Sequence, residues 1–152
     1  MVSVETLNRY NFFNHFSQDQ LKAVAMISEI ESFPKGSIIA REDALATKLY
    51  LLLEGDVDLI YSGGGEGAII NALVGTIAPG EVFGVSSLIE PYQFISSVRA
   101  AMPIRVIAID SIALRALTEI DPKLGYGLMR KISSAVLNRL KFTQMELAVA
   151  RA

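Results

Sequence analysis

From about residue 30 to residue 110 the sequence is cut into short β-prone runs, each closed by a turn signal. Pro34-Lys35-Gly36 turns into Ser37, Ile38, Ile39 and Ala40. Residues 49–53 form a second run, stopped by Glu54-Gly55. In residues 56–61, Val57, Leu59 and Tyr61 alternate with Asp56 and Asp58, the two-residue period of a strand. Ser62-Gly63-Gly64-Gly65-Glu66-Gly67 reads as a flexible hairpin loop, and residues 68–77 as the next strand. Pro79-Gly80 suits a type II turn, where glycine supplies the positive φ. Strands over 93–101 and 104–109, split by Met102-Pro103, complete the set. Many short strands at this spacing fold as a roll, barrel or sandwich.

Helices flank this region. Leu7, Phe12, Phe13 and Phe16 cluster at helical spacing within 4–27, and Ser17 offers an N-cap with Asp19 in the first turn. Leu21, Val24, Ala25 and Ile27 give the stripe of a second short helix. Near the other end Ser111 is placed to cap a helix reaching Ile120. Asp121-Pro122 then starts a proline-free run to about residue 150, with Asp as cap and Pro at the first helical position. Such a helix is roughly 40 Å long at 1.5 Å per residue, more than a domain of this size needs for itself. Met129, Ile132, Val136, Leu140, Thr143 and Leu147 make one stripe, widened by Leu128, Ala135 and Phe142. A helix apolar on more than one side is expected to pack on its own domain and on a partner, here a second copy in a homodimer. Gly125 and Gly127 mark a bend or a close contact near its start. The organisation expected is one domain: a helical entry and β-region over 1–120, and a dimerisation helix over 121–152.

Composition removes several functions. The 152 residues are 51% hydrophobic and 20% charged, with mean hydropathy +0.39. No apolar run approaches the ~18 residues that span a bilayer, so no membrane association is expected. Net charge is −2 without a basic block, which disfavours nucleic-acid binding by this chain alone. The absence of cysteine excludes disulfides, thiolate metal sites and cysteine catalysis. No basic segment followed by an apolar run opens the chain, so a cytoplasmic location is expected. The single histidine, His15, cannot build the several-histidine metal site of a cupin-like small-molecule enzyme. No nucleophile–base set or phosphate-loop signature is present. No catalytic residue, metal or cofactor is assigned, and the chain is read as a non-enzyme.

Several motifs occur in an order that resembles the cyclic-nucleotide-binding domain family, the sensor fold of catabolite activator-like proteins. They are Pro34-Lys35-Gly36-Ser37-Ile38-Ile39, Leu49-Tyr50-Leu51-Leu52-Leu53-Glu54-Gly55-Asp56-Val57, Pro79-Gly80-Glu81-Val82-Phe83-Gly84, Val98-Arg99-Ala100, and the helix from Asp121-Pro122. The resemblance covers roughly residues 7–140. It implies a mainly β fold, a β-roll of jelly-roll type with N-terminal helices and a long C-terminal helix. It also implies a pocket in which a Glu after Phe-Gly holds the ribose, while an Arg followed by Ser or Thr holds the cyclic phosphate.

Those three positions fall on Val85, Phe94 and Ile95. A buried phosphate monoanion needs a charged partner and donors, and all three side chains are apolar. Arg99 lies an odd number of strand positions from Phe94 and should face away. Gly84, Val85, Ser86 and Ser87 can still form a turn with free N–H groups, and Ser96 shares the parity of Phe94. Two readings stay open: a pocket retuned for a less charged small-molecule effector, or a cavity filled by Val85, Phe94 and Ile95 as core. Weak or absent binding of cyclic AMP and cyclic GMP is expected. The function expected is a regulatory sensor module acting through dimerisation and a protein partner. The alternative is the sensor half of a catabolite activator-like transcription regulator, whose DNA-binding domain would lie outside this chain.

Overall fold

The computed structural model describes residues 1–63 and 71–152. The entry is more broken than one helical region: α1 (Val4–Asn8), a single 3-10 turn (Asn11–Phe13) and α2 (Gln18–Met26). The break follows from His15, whose φ of 76° no helix accepts. Ser17 does cap α2. Its hydroxyl accepts from the Gln20 amide at 3.1 Å, and the Gln20 side chain accepts from the Ser17 amide at 2.9 Å, a reciprocal capping box.

Among the described residues the strands are β1 (Ser28–Phe33), β2 (Ile38–Ala40), β3 (Lys48–Glu54), β4 (Val57–Tyr61), β5 (Ala72–Ile77), β6 (Val82–Phe83), β7 (Ser97–Ala100) and β8 (Ile104–Asp110). They pair antiparallel as two sheets, β1-β8-β3-β6 and β2-β7-β4-β5. This is the expected β-roll. The central strands of the first sheet, β3 and β8, are buried on both faces. Leu49, Leu51, Ile107 and Ile109 face the helices, where they meet Leu7, Phe13, Leu21, Leu114, Leu124 and Leu128. Tyr50, Leu52, Val106 and Ala108 face the second sheet, where they meet Val57, Ile77, Phe94 and Val98. Burial on both faces explains why residues 49–53 are continuously apolar rather than alternating.

Two strand expectations need correction, and a third is tested only in part. β1 lies ahead of the first expected strand. It is an edge strand whose Glu29 and Glu31 read as polar sequence. The strand expected over 93–101 is regular only from Ser97 to Ala100. Ahead of it Tyr92 has φ 59°, and residues 92–94 pair with the 43–46 loop instead: Asp43 N donates to Phe94 O at 2.8 Å, and Ala46 N to Tyr92 O at 2.6 Å. The strand expected over 68–77 is seen from Ala72. Its first residues, and most of the glycine-rich loop, lie outside the described residues.

The last helices are α3 (Ser111–Ile120) and α4 (Pro122–Ala150). Asp110, not Ser111, caps α3, accepting from Ala113 N at 3.0 Å. The Ser111 side chain is instead buried. Asp121 caps α4 as expected, accepting from the Lys123 and Leu124 amides at 3.1 and 3.2 Å. The two glycines mark close contacts. A Cβ on Gly125 would lie 3.1 Å from Thr118 Cβ, and one on Gly127 would lie 3.0 Å from Phe16 Cε1.

Candidate functional site

Phe83 ends β6, and the chain turns at Gly84 with φ 74°. Only glycine fits: an added Cβ would lie 2.7 Å from the Lys48 carbonyl oxygen and 3.2 Å from Tyr50. Residues Val85–Leu88 then form a 3-10 turn. Ser87 N donates to Gly84 O, Ile89 N to Ser86 O and Tyr92 N to Ile89 O, at 3.0, 3.2 and 2.8 Å. The expected turn is therefore formed, but the Ser87 N–H is not free as expected, because it is bonded within the turn.

The side chains at the three anchor positions go to different places. Phe94 is buried in the roll interior with Tyr50, Phe83 and Val98. Tyr50 and Phe83 stack there, with ring centroids 4.8 Å apart. Val85 is half-buried against the opposite, helix-side core. Ile95 is 80% exposed. The picture of one cavity filled by all three is thus corrected: only Phe94 plugs the roll, and Ile95, its neighbour in the chain, points the other way into solvent. Ser86 and Ser96 are half-buried, and Ser87 is fully buried. Arg99 is exposed on β7, with its guanidinium 3.3 Å from the Asp58 carboxylate.

Two features have no signal in the sequence reading. A cleft of about 250 Å³ opens between β2 and the start of β3, lined by Ile39, Leu45, Tyr50 and Phe94 and by Arg41 and Lys48. Lys48 is bound to Glu31, Nζ to Oε1 at 2.6 Å, and that hydrogen bond raises the lysine pKa. Burial raises the Tyr50 phenol. The second feature is Arg115 on α3. Its Nη1 donates to Ser87 O at 2.6 Å, and its guanidinium sits 3.9 Å over the Tyr92 ring. Among the described residues no three His, Cys, Asp or Glu side chains converge on a metal position, and no helix is long and apolar enough to cross a membrane.

Of the stripe expected to pair two copies, Ile132 belongs to the chain's own core together with Leu124 and Leu128. Met129 is half-buried, while Val136, Leu140, Thr143 and Leu147 are exposed. The helix thus has a docked first half and an uncovered second half.

The sequence profile described as the cyclic nucleotide-binding domain matches residues 30–121. The chain belongs to the cyclic nucleotide-binding domain family. A structure from Geobacter metallireducens GS-15, provisionally named a cyclic nucleotide-binding protein, is 46% identical. The match covers 92% of this chain and 99% of that one, with a TM-score of 0.83. The catabolite activator protein of Thermus thermophilus shares the fold at 21% identity and a TM-score of 0.70, over 92% of this chain and 62% of that one. A Rhodopseudomonas palustris protein, provisionally named a potassium channel, is 24% identical over 139 residues, 91% of this chain. The chain spans about a third of that curated relative's length, 32%.

Proposed function

We propose that this chain is a regulatory sensor module that keeps the family's roll but does not anchor a cyclic phosphate in the usual way. The observation that carries this is Phe94. The position at which the resemblance calls for an arginine holds a phenyl ring 9% exposed and packed in the roll interior. A phosphate taken out of water there would have no charged partner from that position, a loss of several kcal/mol. The ligand that suits such a site is a less charged small molecule. The nearby cleft is lined by Ile39, Leu45, Tyr50 and Phe94 together with Arg41 and Lys48, and Lys48 is already paired with Glu31.

Output runs through α4. Val136, Leu137, Leu140, Phe142, Met145 and Leu147 are all exposed on its second half. A second copy of the same helix is the partner that covers them, as in a coiled-coil pair, leaving the rolls free to act on a protein partner in the cytoplasm. The module is not an enzyme. A second reading, a sensor that controls a larger protein such as a transcription regulator or a channel, is favoured by the greater length of two relatives.

Calorimetric titration with cyclic AMP and cyclic GMP tests the ligand reading. No binding tighter than about 100 μM is expected, and a sub-micromolar Kd for either, roughly −8 kcal/mol or better, would overturn it. Sedimentation at tens of micromolar tests the helix pairing: a dimer is expected, and a monomer sinks it.

A further inference from the structure

The turn from Gly84 to Tyr92 is bracketed by two left-handed residues, Gly84 at φ 74° and Tyr92 at φ 59°. Glycine adopts that conformation freely, but a bulky aromatic residue does so only where its surroundings impose it. Between the two lie short-range hydrogen bonds alone: Ser87 N to Gly84 O, Ile89 N to Ser86 O and Tyr92 N to Ile89 O. A single 3-10 turn with such bonds does not hold itself.

We infer that Arg115 is a positioning residue that latches this turn from behind. One side chain grips the turn at two points, its middle and its far end. Its Nη1 donates to the Ser87 carbonyl at 2.6 Å, and its guanidinium plane covers the Tyr92 ring at 3.9 Å. The Tyr92 carbonyl is fixed from the other side by the Ala46 amide at 2.6 Å. Arg115 is half-buried, so both contacts are less screened than at the surface. The guanidinium is suited to this double task because it is flat and carries several donors in one plane. Lysine offers the charge and a donor but no face to stack.

The latch also joins the turn to the output helix. Arg115 sits midway along α3, and α3 leads through Asp121 directly into α4. Asp121 is itself tied to α2 by the Gln20 amide at 3.1 Å. The turn, α3 and the root of α4 therefore move as a unit while Arg115 holds. Core packing of Leu124, Leu128 and Ile132 seats α4, and Arg115 ties the turn to the helix that leads into it.

Hydrogen–deuterium exchange on the full chain, comparing the wild type with Arg115→Ala and Arg115→Lys, tests the latch without any ligand. Expected in Arg115→Ala is at least a ten-fold faster exchange in the peptide spanning 84–92, with β3 and β8 unchanged. Arg115→Lys should fall between, because it keeps the bond to Ser87 and loses the stack. Exchange within two-fold of wild type in Arg115→Ala overturns the latch. So does a uniform acceleration that includes β3 and β8, which would make Arg115 a general packing residue. If Arg115→Ala fails to fold, Arg115→Lys decides alone: selective acceleration of 84–92 supports the latch, and a wild-type profile overturns it.

Discussion

The two sides of the residue 84–92 turn have opposite chemistry. On the roll side, where relatives with the full motif are expected to place an arginine, this chain has the buried ring of Phe94. On the helix side it has a guanidinium, Arg115, bonded to the turn's own backbone. In this chain the charge bonded to the turn comes from the helix side. Retention of a backbone feature is therefore no guarantee of the ligand chemistry that the feature serves elsewhere. The fold depends on Gly84 and the turn's hydrogen bonds, whereas the ligand depends on side chains that can change without disturbing either.

The contrast can be broken by substitution. Gly84→Ala has the largest expected effect, because the new Cβ would meet the Lys48 carbonyl, a β-strand backbone atom that cannot retreat, at a φ that alanine disfavours. A loss of about 3 kcal/mol or more in urea denaturation is expected; a neutral result would mean the turn is not packed against β3. Next come the neighbours Phe94 and Ile95. Phe94→Ala should cost about 3–4 kcal/mol, as for other buried phenylalanines, while Ile95→Ala should stay within about 0.5 kcal/mol because the side chain is in solvent. Equal losses at the two positions would contradict the placement of Phe94 as the plug.

The smallest expected effect concerns the root of α4. Hydrogen bonding from Gln20, and then from the Leu124 and Lys123 amides, lowers the Asp121 pKa. A carboxylate depressed in the folded state contributes stability above its unfolded pKa, and that contribution is lost as pH falls through the lower folded value. Asp121→Asn should therefore flatten a small fall in melting temperature between about pH 5 and pH 2. An unchanged pH profile would show that the cap bonds do not depend on the charge.

Much of this was legible beforehand. Pro34-Lys35-Gly36, Pro79-Gly80 and Asp121-Pro122 punctuate the chain where it turns or starts a helix, because proline and glycine restrict the backbone locally. β1 was not legible, since an edge strand carrying Glu29 and Glu31 lacks the apolar alternation of a covered one. Residues 93–96 were misread as regular strand because their alternation is compatible with one, while the left-handed Tyr92 just before them leaves no mark in composition. The apolar side chains at the three expected anchor positions, Val85, Phe94 and Ile95, were legible, but their separate destinations were not. Arg115 could not be found at all. It lies 28 residues from Ser87 in the chain, inside an ordinary amphipathic helix, and only the packing of α3 on the turn brings the two together.

The loss of the roll-side anchor is tested most directly by calorimetric titration of cyclic AMP into the wild-type chain and into a Val85→Glu/Phe94→Arg/Ile95→Ser variant at the same concentration. The predicted result is no measurable heat of binding for the wild type and a gain of binding in the variant, provided it folds. Sub-micromolar binding by the wild type would contradict the loss of the anchor.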